Sequence, residues 1–266
     1  MAIETRFSKA GLREANSDVE NLAGYALVAL ATGSLDKNAD RCRPEVEELL
    51  SALTKPDDTI YQQLLLKMIA DGSTSDHLID HVVPDLARQL GDEWSADDLS
   101  FADVTIGISR LQQTVRRHGA RKEIDGLKLP LGQRVLLILP ESEQHSLGIF
   151  IVANQMRRLG VWVQLALDCK LDQIAPLIKD QDFATIGVTI GRSQTRKQIL
   201  NWSNTIRETG TDAPIVLGGA AFTEDANGLA QDFGADFIAK NTREALDFCQ
   251  IDTARTALLP FELATL

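Results

Sequence analysis

The chain has 266 residues, of which 44% are hydrophobic and 24% charged, and its formal net charge is −11. This composition is that of an ordinary globular protein, long enough to bury one or two cores. The acidic balance argues against a surface that lies mainly on nucleic acid, because the phosphates would repel it. The longest apolar run, 24–31, is too short for a bilayer span, which needs about 20 residues. We therefore expect no membrane span.

The cysteines and the N-terminus bear on the compartment. Cys42, Cys169 and Cys249 are far apart and odd in number, so they form neither a disulfide framework nor a zinc motif. Residues 1–20 are polar, mixed in charge and without the apolar core of a signal peptide. The sequence thus predicts a cytoplasmic protein with a disordered N-terminal segment, 1–20.

Residues 21–118 are predicted to form a helical cap domain. Their apolar positions recur at three- and four-residue spacing, the pattern of amphipathic helices. The expected helices are 21–32, 43–53, 58–71, 75–91 and 98–118. The next segment, 119–133, is rich in glycine and charge and is predicted to be a linker.

Residues 134–266 are predicted to form an α/β domain. Short runs rich in Val, Ile and Leu alternate there with amphipathic helices, and they lack the in/out alternation of half-exposed strands. The expected strands are 135–139, 161–167, 185–190, 215–217 and 235–239, and the expected helices are 146–159, 171–180, 195–209, 222–233 and 242–250. Five βα units predict a doubly wound, five-stranded parallel sheet of the flavodoxin-like type. Such sheets bind ligands beyond the carboxyl ends of their strands.

The loop after the first predicted strand contains a single imidazole. His145 has Glu143 two residues before it and Gly148 three residues after it, and neither a dinucleotide-binding nor a P-loop motif is present. Imidazole is a ligand for transition metals, and a carboxylate on its other nitrogen fixes the tautomer. The alternative is a surface loop whose histidine and glutamate are only solvated.

The loops after the third and fourth strands add two features. Thr189 places a hydroxyl at the edge of the sheet. Gly218-Gly219 ends the fourth strand, where missing side chains let a bulky group approach the backbone. Each feature alone is ordinary, since threonine is common in strands and Gly-Gly often makes a turn.

Together and in this order, the three loops resemble the cobalamin-binding domain of the methionine synthase and methylmalonyl-CoA mutase type. That family has Asp-x-His-x-x-Gly, then Ser-x-Leu, then Gly-Gly. This chain has Glu143-x-His145-x-x-Gly148, Thr189-Ile190-Gly191 and Gly218-Gly219. Glu thus replaces Asp, Thr replaces Ser, and the Leu is lost. The resemblance spans residues 134–250.

The resemblance implies a role for each motif residue. His145 would be the lower axial ligand of cobalt in place of the cofactor's benzimidazole, and Glu143 would orient its imidazole. Thr189 would bond to the nucleotide tail, for which the three motif glycines leave room. The predicted cofactor-binding set is Glu143, His145, Ser146, Gly148, Thr189, Gly191, Gly218, Gly219 and Trp94, with His145 alone on the metal.

The segment 90–102 resembles the helical cap of corrinoid carriers and light-sensing cobalamin regulators. In those regulators a tryptophan covers the upper corrin face, which implies that role for Trp94. The alternative for Trp94 is a core position in the bundle. The regulators also have a His beside the Trp and a Glu-His pair on the next helix, where this chain has Ser95 and Val104-Thr105. We therefore expect a crowded upper face without an imidazole, which favours hydroxo- or aquocobalamin over the adenosyl form.

The wording of the loop 141–148, together with 189–193, resembles the AerR/PpaA antirepressors of purple phototrophic bacteria. This resemblance implies a light-responsive, cobalamin-binding regulator, not an enzyme, that binds a CrtJ/PpsR-type repressor of photosystem genes. Two alternatives stay open: a corrinoid methyl carrier of a methyltransferase system, and a haem-binding sensor.

Two further clusters have functional and ordinary interpretations. His77 and His81 lie four residues apart beside Asp76 and Asp80, a spacing that can clamp a metal but also fits the wet face of a helix. Cations at the end of the cap fit DNA phosphates, an acidic partner, or simply the dipole of a helix C-terminus. They are Arg116, Arg117, His118, Arg121 and Lys122. Because no helix-turn-helix motif is recognisable, direct DNA contact is a secondary expectation.

Overall fold

The computed structural model describes residues 43–119, 133–143, 146–222 and 229–253. The N-terminal helices are α1 (Arg43–Leu53), α2 (Thr59–Ala70), α3 (Ser75–His77), α4 (Val83–Ser95) and α5 (Phe101–His118). The strands are β1 (Arg134–Pro140), β2 (Trp162–Cys169), β3 (Thr185–Thr189), β4 (Ile215–Gly218) and β5 (Phe237–Ile238). The helices of the C-terminal half are α6 (Leu147–Arg158), α7 (Ile174–Ile178), α8 (Arg196–Glu208) and α9 (Thr242–Phe248). Three predicted segments lie outside the described residues: the disordered segment 1–20, the helix 21–32 and nearly all of the linker 119–133.

The five strands form one parallel sheet in the order β2-β1-β3-β4-β5. The predicted doubly wound α/β architecture is thereby confirmed. One face of the sheet packs on α7 and α8 and the other on α6 and α9, which is why the strands read as continuous apolar runs. Thr189 is in register with Gly218, so the loops after β3 and β4 lie side by side at the carboxyl edge.

Three predicted helices differ from the structure. The stretch predicted over 75–91 runs on to Ser95 and widens into a π-helix at Leu78–Val82, just before Pro84. Proline has no N–H for the carbonyl four residues earlier, so the preceding turn opens. The predicted helix 171–180 is a 3-10 turn (Leu171–Gln173) followed by the short α7. In the described part of the predicted helix 222–233, only a 3-10 turn (Gln231–Phe233) forms. It ends at Gly234, which has a left-handed φ of 66°.

The helical cap lies directly on α6, the helix that follows the His145 loop. Leu147 and Ile151 of α6 are buried within the same hydrophobic core as the cap residues. Gln112 of α5 donates a hydrogen bond to the Ser146 hydroxyl (Nε2 to Oγ, 3.0 Å), and Gln155 of α6 donates one to Asp80 (3.1 Å). The cap is therefore joined to the α/β domain by packing as well as by the linker. Among the described helices, none is long and apolar enough to cross a bilayer.

Candidate functional site

The loop after β1 is fixed on both sides of His145. Glu143 is almost fully buried, with 3% of its surface exposed, and its N–H donates to the carbonyl of Pro140 (2.9 Å). Ser146 begins α6, where its hydroxyl accepts the bond from Gln112. His145 and Gln144 lie outside the described residues. The position of the imidazole therefore stays a prediction.

Gly219 lies where the loops after β3 and β4 meet. Its φ is +116°, and a Cβ there would lie 2.4 Å from the carbonyl oxygen of Ile190 and 2.8 Å from its nitrogen. The close approach is held by hydrogen bonds in both directions, from the Ile190 N–H to the Gly218 carbonyl (2.7 Å) and from the Ala221 N–H to the Ile190 carbonyl (3.1 Å). Glycine is required here by the backbone itself, apart from any role in binding.

We expect Gly219→Ala to lower the free energy of unfolding by about 2 to 4 kcal/mol, because it combines a strained φ with a backbone clash. Gly210→Ala is the matched control. Gly210 has a φ of +80°, but a Cβ there would meet nothing within 4 Å. Gly210→Ala should lower the free energy of unfolding by only about 1 kcal/mol, because the strained φ is its sole cost. Urea denaturation of both variants checks this, and equal losses would contradict the close approach at Ile190.

Gln194 joins the two loops that carry the first and second motifs. Its side chain is buried, with 8% exposed. Its Oε1 accepts a hydrogen bond from the Gly191 N–H (3.0 Å), and its Nε2 donates one to the Ser142 hydroxyl (3.0 Å). No sequence signal singles out Gln194, because a glutamine in a loop is normally solvated. Its two hydrogen bonds connect the loop after β3 to Ser142 in the loop after β1.

An open cleft of about 840 Å³, counted with its solvent-filled mouth, lies between the sheet and helices α6 and α9. Gly148, Thr189, Gly218 and Gly219 all line it. A Cβ at Gly148 would meet nothing within 4 Å. Four residues of the predicted cofactor-binding set therefore share one cavity, which extends along the strands from Thr189 to Thr185.

Comparison with known proteins places this site in a family. A model described as the B12 binding domain matches residues 133–247. A Rhodobacter capsulatus protein, described as an uncharacterized 20.5 kDa protein in the bchF-crtJ intergenic region, is 33% identical over 162 residues, which cover 60% of this chain and 84% of that protein. The chain belongs to the B12-binding domain family. The family predicted from the loop motifs is thereby confirmed.

Solved structures resemble the chain at low sequence identity. The monomethylamine corrinoid protein of Methanosarcina barkeri superposes with a TM-score of 0.59 at 13% identity, over 78% of this chain and 97% of that one. A cobalamin-binding protein from Desulfitobacterium hafniense matches with a TM-score of 0.40 at 14% identity, over 77% of this chain and 97% of that one. The first likeness shows that the fold is shared.

Trp94 lies in the cap that precedes the B12-binding domain, at the end of α4. It is half-buried and falls outside the buried core of the bundle, which does contain Leu90 one turn earlier. The described side chains that line the cavity do not include it. Next to it, burial raises the pKa of Glu93, with Asp98 adding to the shift. Val104 is buried in the cap, and its side chain has no polar group.

The two polar clusters outside the B12-binding site are explained by packing. Arg158 forms an ion pair with Asp76 (2.8 Å) and a second with Asp80, so both carboxylates next to His77 and His81 have a cationic partner. In the described part of the chain, no group of three or more His, Cys, Asp or Glu side chains could hold a metal ion. These carboxylates connect the cap to α6.

The cations at the end of α5 also make contacts within the protein. The Arg116 guanidinium lies 5.1 Å from the centre of the Phe150 ring, and Arg117 donates to Gln62 (3.3 Å). Burial lowers the pKa of His118, and the charge of Arg117 lowers it further. Arg121 and Lys122 lie outside the described residues.

Proposed function

We propose that the protein binds cobalamin with His145 as the lower axial ligand and uses it to regulate a transcriptional repressor. The observation that carries the cofactor assignment is the shared cavity. Gly148 leaves open space there, and Gly218 and Gly219 bring the backbone to its wall without side chains. The residues present thus fit a long, flat group entering from the carboxyl edge of the sheet. Bound cobalamin supplies a cobalt centre whose upper ligand is sensitive to light.

In this proposal, each residue of the site has a binding or positioning role. His145 supplies the nitrogen below cobalt, and the buried carboxylate of Glu143 accepts a hydrogen bond from the N–H of the same ring, which fixes its tautomer. Gln194 holds Ser142, and thereby the first half of the loop, in place. Thr189 lines the cavity, where its hydroxyl would bond to the nucleotide tail.

We expect the upper face to favour hydroxocobalamin over adenosylcobalamin, because Trp94 would crowd the larger ligand. Trp94→Ala should then raise the affinity for adenosylcobalamin about tenfold and change hydroxocobalamin binding less. Trp162→Ala is the control, since Trp162 is 53% exposed on the edge strand β2. Titrations in darkness measure the affinity of each of the two variants for each of the two cobalamin forms. Equal uptake of both forms by the unaltered protein would contradict this assignment for Trp94.

The regulatory role is supported by gene position. The R. capsulatus relative is described by its place between bchF and crtJ, which is consistent with the AerR/PpaA resemblance and with a CrtJ/PpsR-type repressor as partner. A corrinoid methyl carrier would have the same fold and cavity. A carrier gene should lie beside methyltransferase genes, whereas a regulator gene should lie beside pigment-biosynthesis genes.

The partner experiment measures the affinity of a CrtJ/PpsR-type repressor for this protein with and without hydroxocobalamin, in the dark and after illumination. We expect the loaded protein to bind the repressor more tightly, because a ligand shifts an equilibrium by its differential affinity for the two states. His145→Ala should remove the difference. If the affinity for the repressor does not depend on cobalamin, the regulatory role is wrong and only the cofactor-binding role is left. A haem titration alongside tests the remaining cofactor alternative.

A further inference from the structure

We propose that the cavity selects corrinoids by the polarity of their lower base, and that it takes a benzimidazole in preference to a purine. This inference rests on the proposed function, which puts the nucleotide tail and its base into the cavity. It concerns the chemical class of the ligand and is independent of what binds above cobalt.

The walls of the cavity beside the sheet and α6 are hydrocarbon. Val135, Leu137 and Val216 line it from the strands, and Ile149 and Val152 line it from α6. Four of these five are buried, and Val152 is half-buried against the same core. None of these side chains can donate or accept a hydrogen bond.

Three polar side chains along the cavity are already bonded to the protein. The Thr185 hydroxyl donates to the carbonyl of Pro214 (2.9 Å), and the Thr242 hydroxyl donates to Oε1 of Gln155. The Asn241 amide donates to Glu244 (3.0 Å), and its oxygen accepts the Glu244 N–H (2.9 Å). The hydroxyl hydrogens of Thr185 and Thr242 are thus used within the protein, so neither hydroxyl is available as a donor to a ring nitrogen of a ligand.

Among the described residues, two other polar side chains line the cavity, and both lie at the carboxyl edge. Thr189 ends β3, and Lys240 follows β5 by two residues. A hydroxyl and an ammonium at the mouth fit the ribose and phosphate of a nucleotide tail. The interior is left for the base.

Benzimidazole and adenine differ where this interior is apolar. The six-membered ring of a benzimidazole carries only carbon and hydrogen, whereas that of adenine carries two ring nitrogens and an exocyclic amine. A polar group buried without a partner weakens binding by about tenfold or more. The hydrocarbon walls therefore weaken the binding of the purine base and stabilise the benzimidazole through burial.

The test is a titration of the full-length protein with three cobamides that share a corrin and differ in the base: benzimidazolyl, adeninyl and p-cresolyl. The p-cresol base is apolar but has no nitrogen to coordinate cobalt, so it separates polarity from coordination. We expect the first and third to bind with similar affinity and the adeninyl form at least about tenfold more weakly. Equal or tighter binding of the adeninyl form would overturn the inference, and so would a p-cresolyl form as weak as the adeninyl one.

Two isosteric variants locate the effect. Val152→Thr and Val216→Thr each add a hydroxyl to the cavity wall and should narrow the preference several-fold. Val163→Thr is the matched control, because Val163 lies in the same core but does not line the cavity. A preference unchanged in both folded cavity variants would contradict the assignment. If none of the cobamides binds, and tail-less cobinamide does not bind either, the proposed function itself is wrong. Equal binding of all three overturns only the selectivity.

Discussion

Replacing His145 with Ala should weaken cobalamin binding at least about 100-fold and abolish the absorption spectrum of a histidine-ligated cobalt. Losing an outer-shell partner of a metal ligand costs about 10- to 100-fold in metal affinity, so losing the ligand itself should cost more. Glu143→Gln, which keeps the shape but removes the charge of a residue with 3% exposure, should give an intermediate loss. Titrations followed by absorbance measure both.

His81→Ala is the control for this pair of variants. His81 lies on the π-helix of the cap, with its ring centre 5.2 Å from that of His77, and it does not line the cavity. It should bind cobalamin with unchanged affinity and spectrum. A His145→Ala protein that kept the unaltered spectrum would show that another group, or the cofactor's own base, lies below cobalt.

Replacing Gly148 with Leu should weaken cobalamin binding by about 10- to 100-fold while leaving the protein folded. The new side chain would extend into the cavity, because no atom lies within 4 Å of a Cβ at this position. Forcing a ligand against an overpacked wall costs about 1 to 3 kcal/mol, which corresponds to this loss. Gly148 lies in the first turn of α6, so the backbone itself accepts other residues.

Two comparisons separate a blocked cavity from a damaged protein. Gly148→Ala should bind nearly normally and raise the free energy of unfolding by up to about 1 kcal/mol, because glycine is the weaker helix former. Cobinamide, which has no nucleotide tail, should bind to Gly148→Leu and to the unaltered protein alike. Loss of cobinamide binding in Gly148→Leu would contradict the placement of the tail in the cavity.

The sheet and the motif glycines could be predicted because their signals are local. Runs such as Val135–Leu139 are apolar on both faces, and the motif residues lie at the ends of such runs or in the loops after them. The parallel topology then brings Thr189 beside Gly218 without further information. The family followed from the same short segments.

The cavity itself could not be predicted, because its lining residues have the same apolar pattern as residues that pack in a filled core. Val135, Leu137 and Val216 read as ordinary core residues in the sequence, and all three are buried in the structure. Gln194 was missed for a related reason: its burial depends on two loops that are 52 residues apart. The π-helix follows from one proline interrupting a pattern that otherwise has helical spacing.

The docking of the cap on α6 was also hidden in the sequence. Leu147 and Ile151 pack against the cap, whereas Ile149 and Ala153 pack against the sheet. A helix that is apolar on two faces does not reveal which neighbour covers each face. Arg158 and Gln155 add polar contacts to Asp80, and no short sequence motif predicts these contacts.

The central claim is that a nitrogen of this chain lies below cobalt, and electron paramagnetic resonance tests it most directly. The protein is labelled uniformly with ¹⁵N, loaded with unlabelled cobalamin and reduced to the cobalt(II) state. Coordination by His145 predicts that each cobalt line is split into a doublet by the protein's ¹⁵N nucleus. A triplet splitting would show that the ligand is the ¹⁴N of the cofactor's own base, and it would contradict the account.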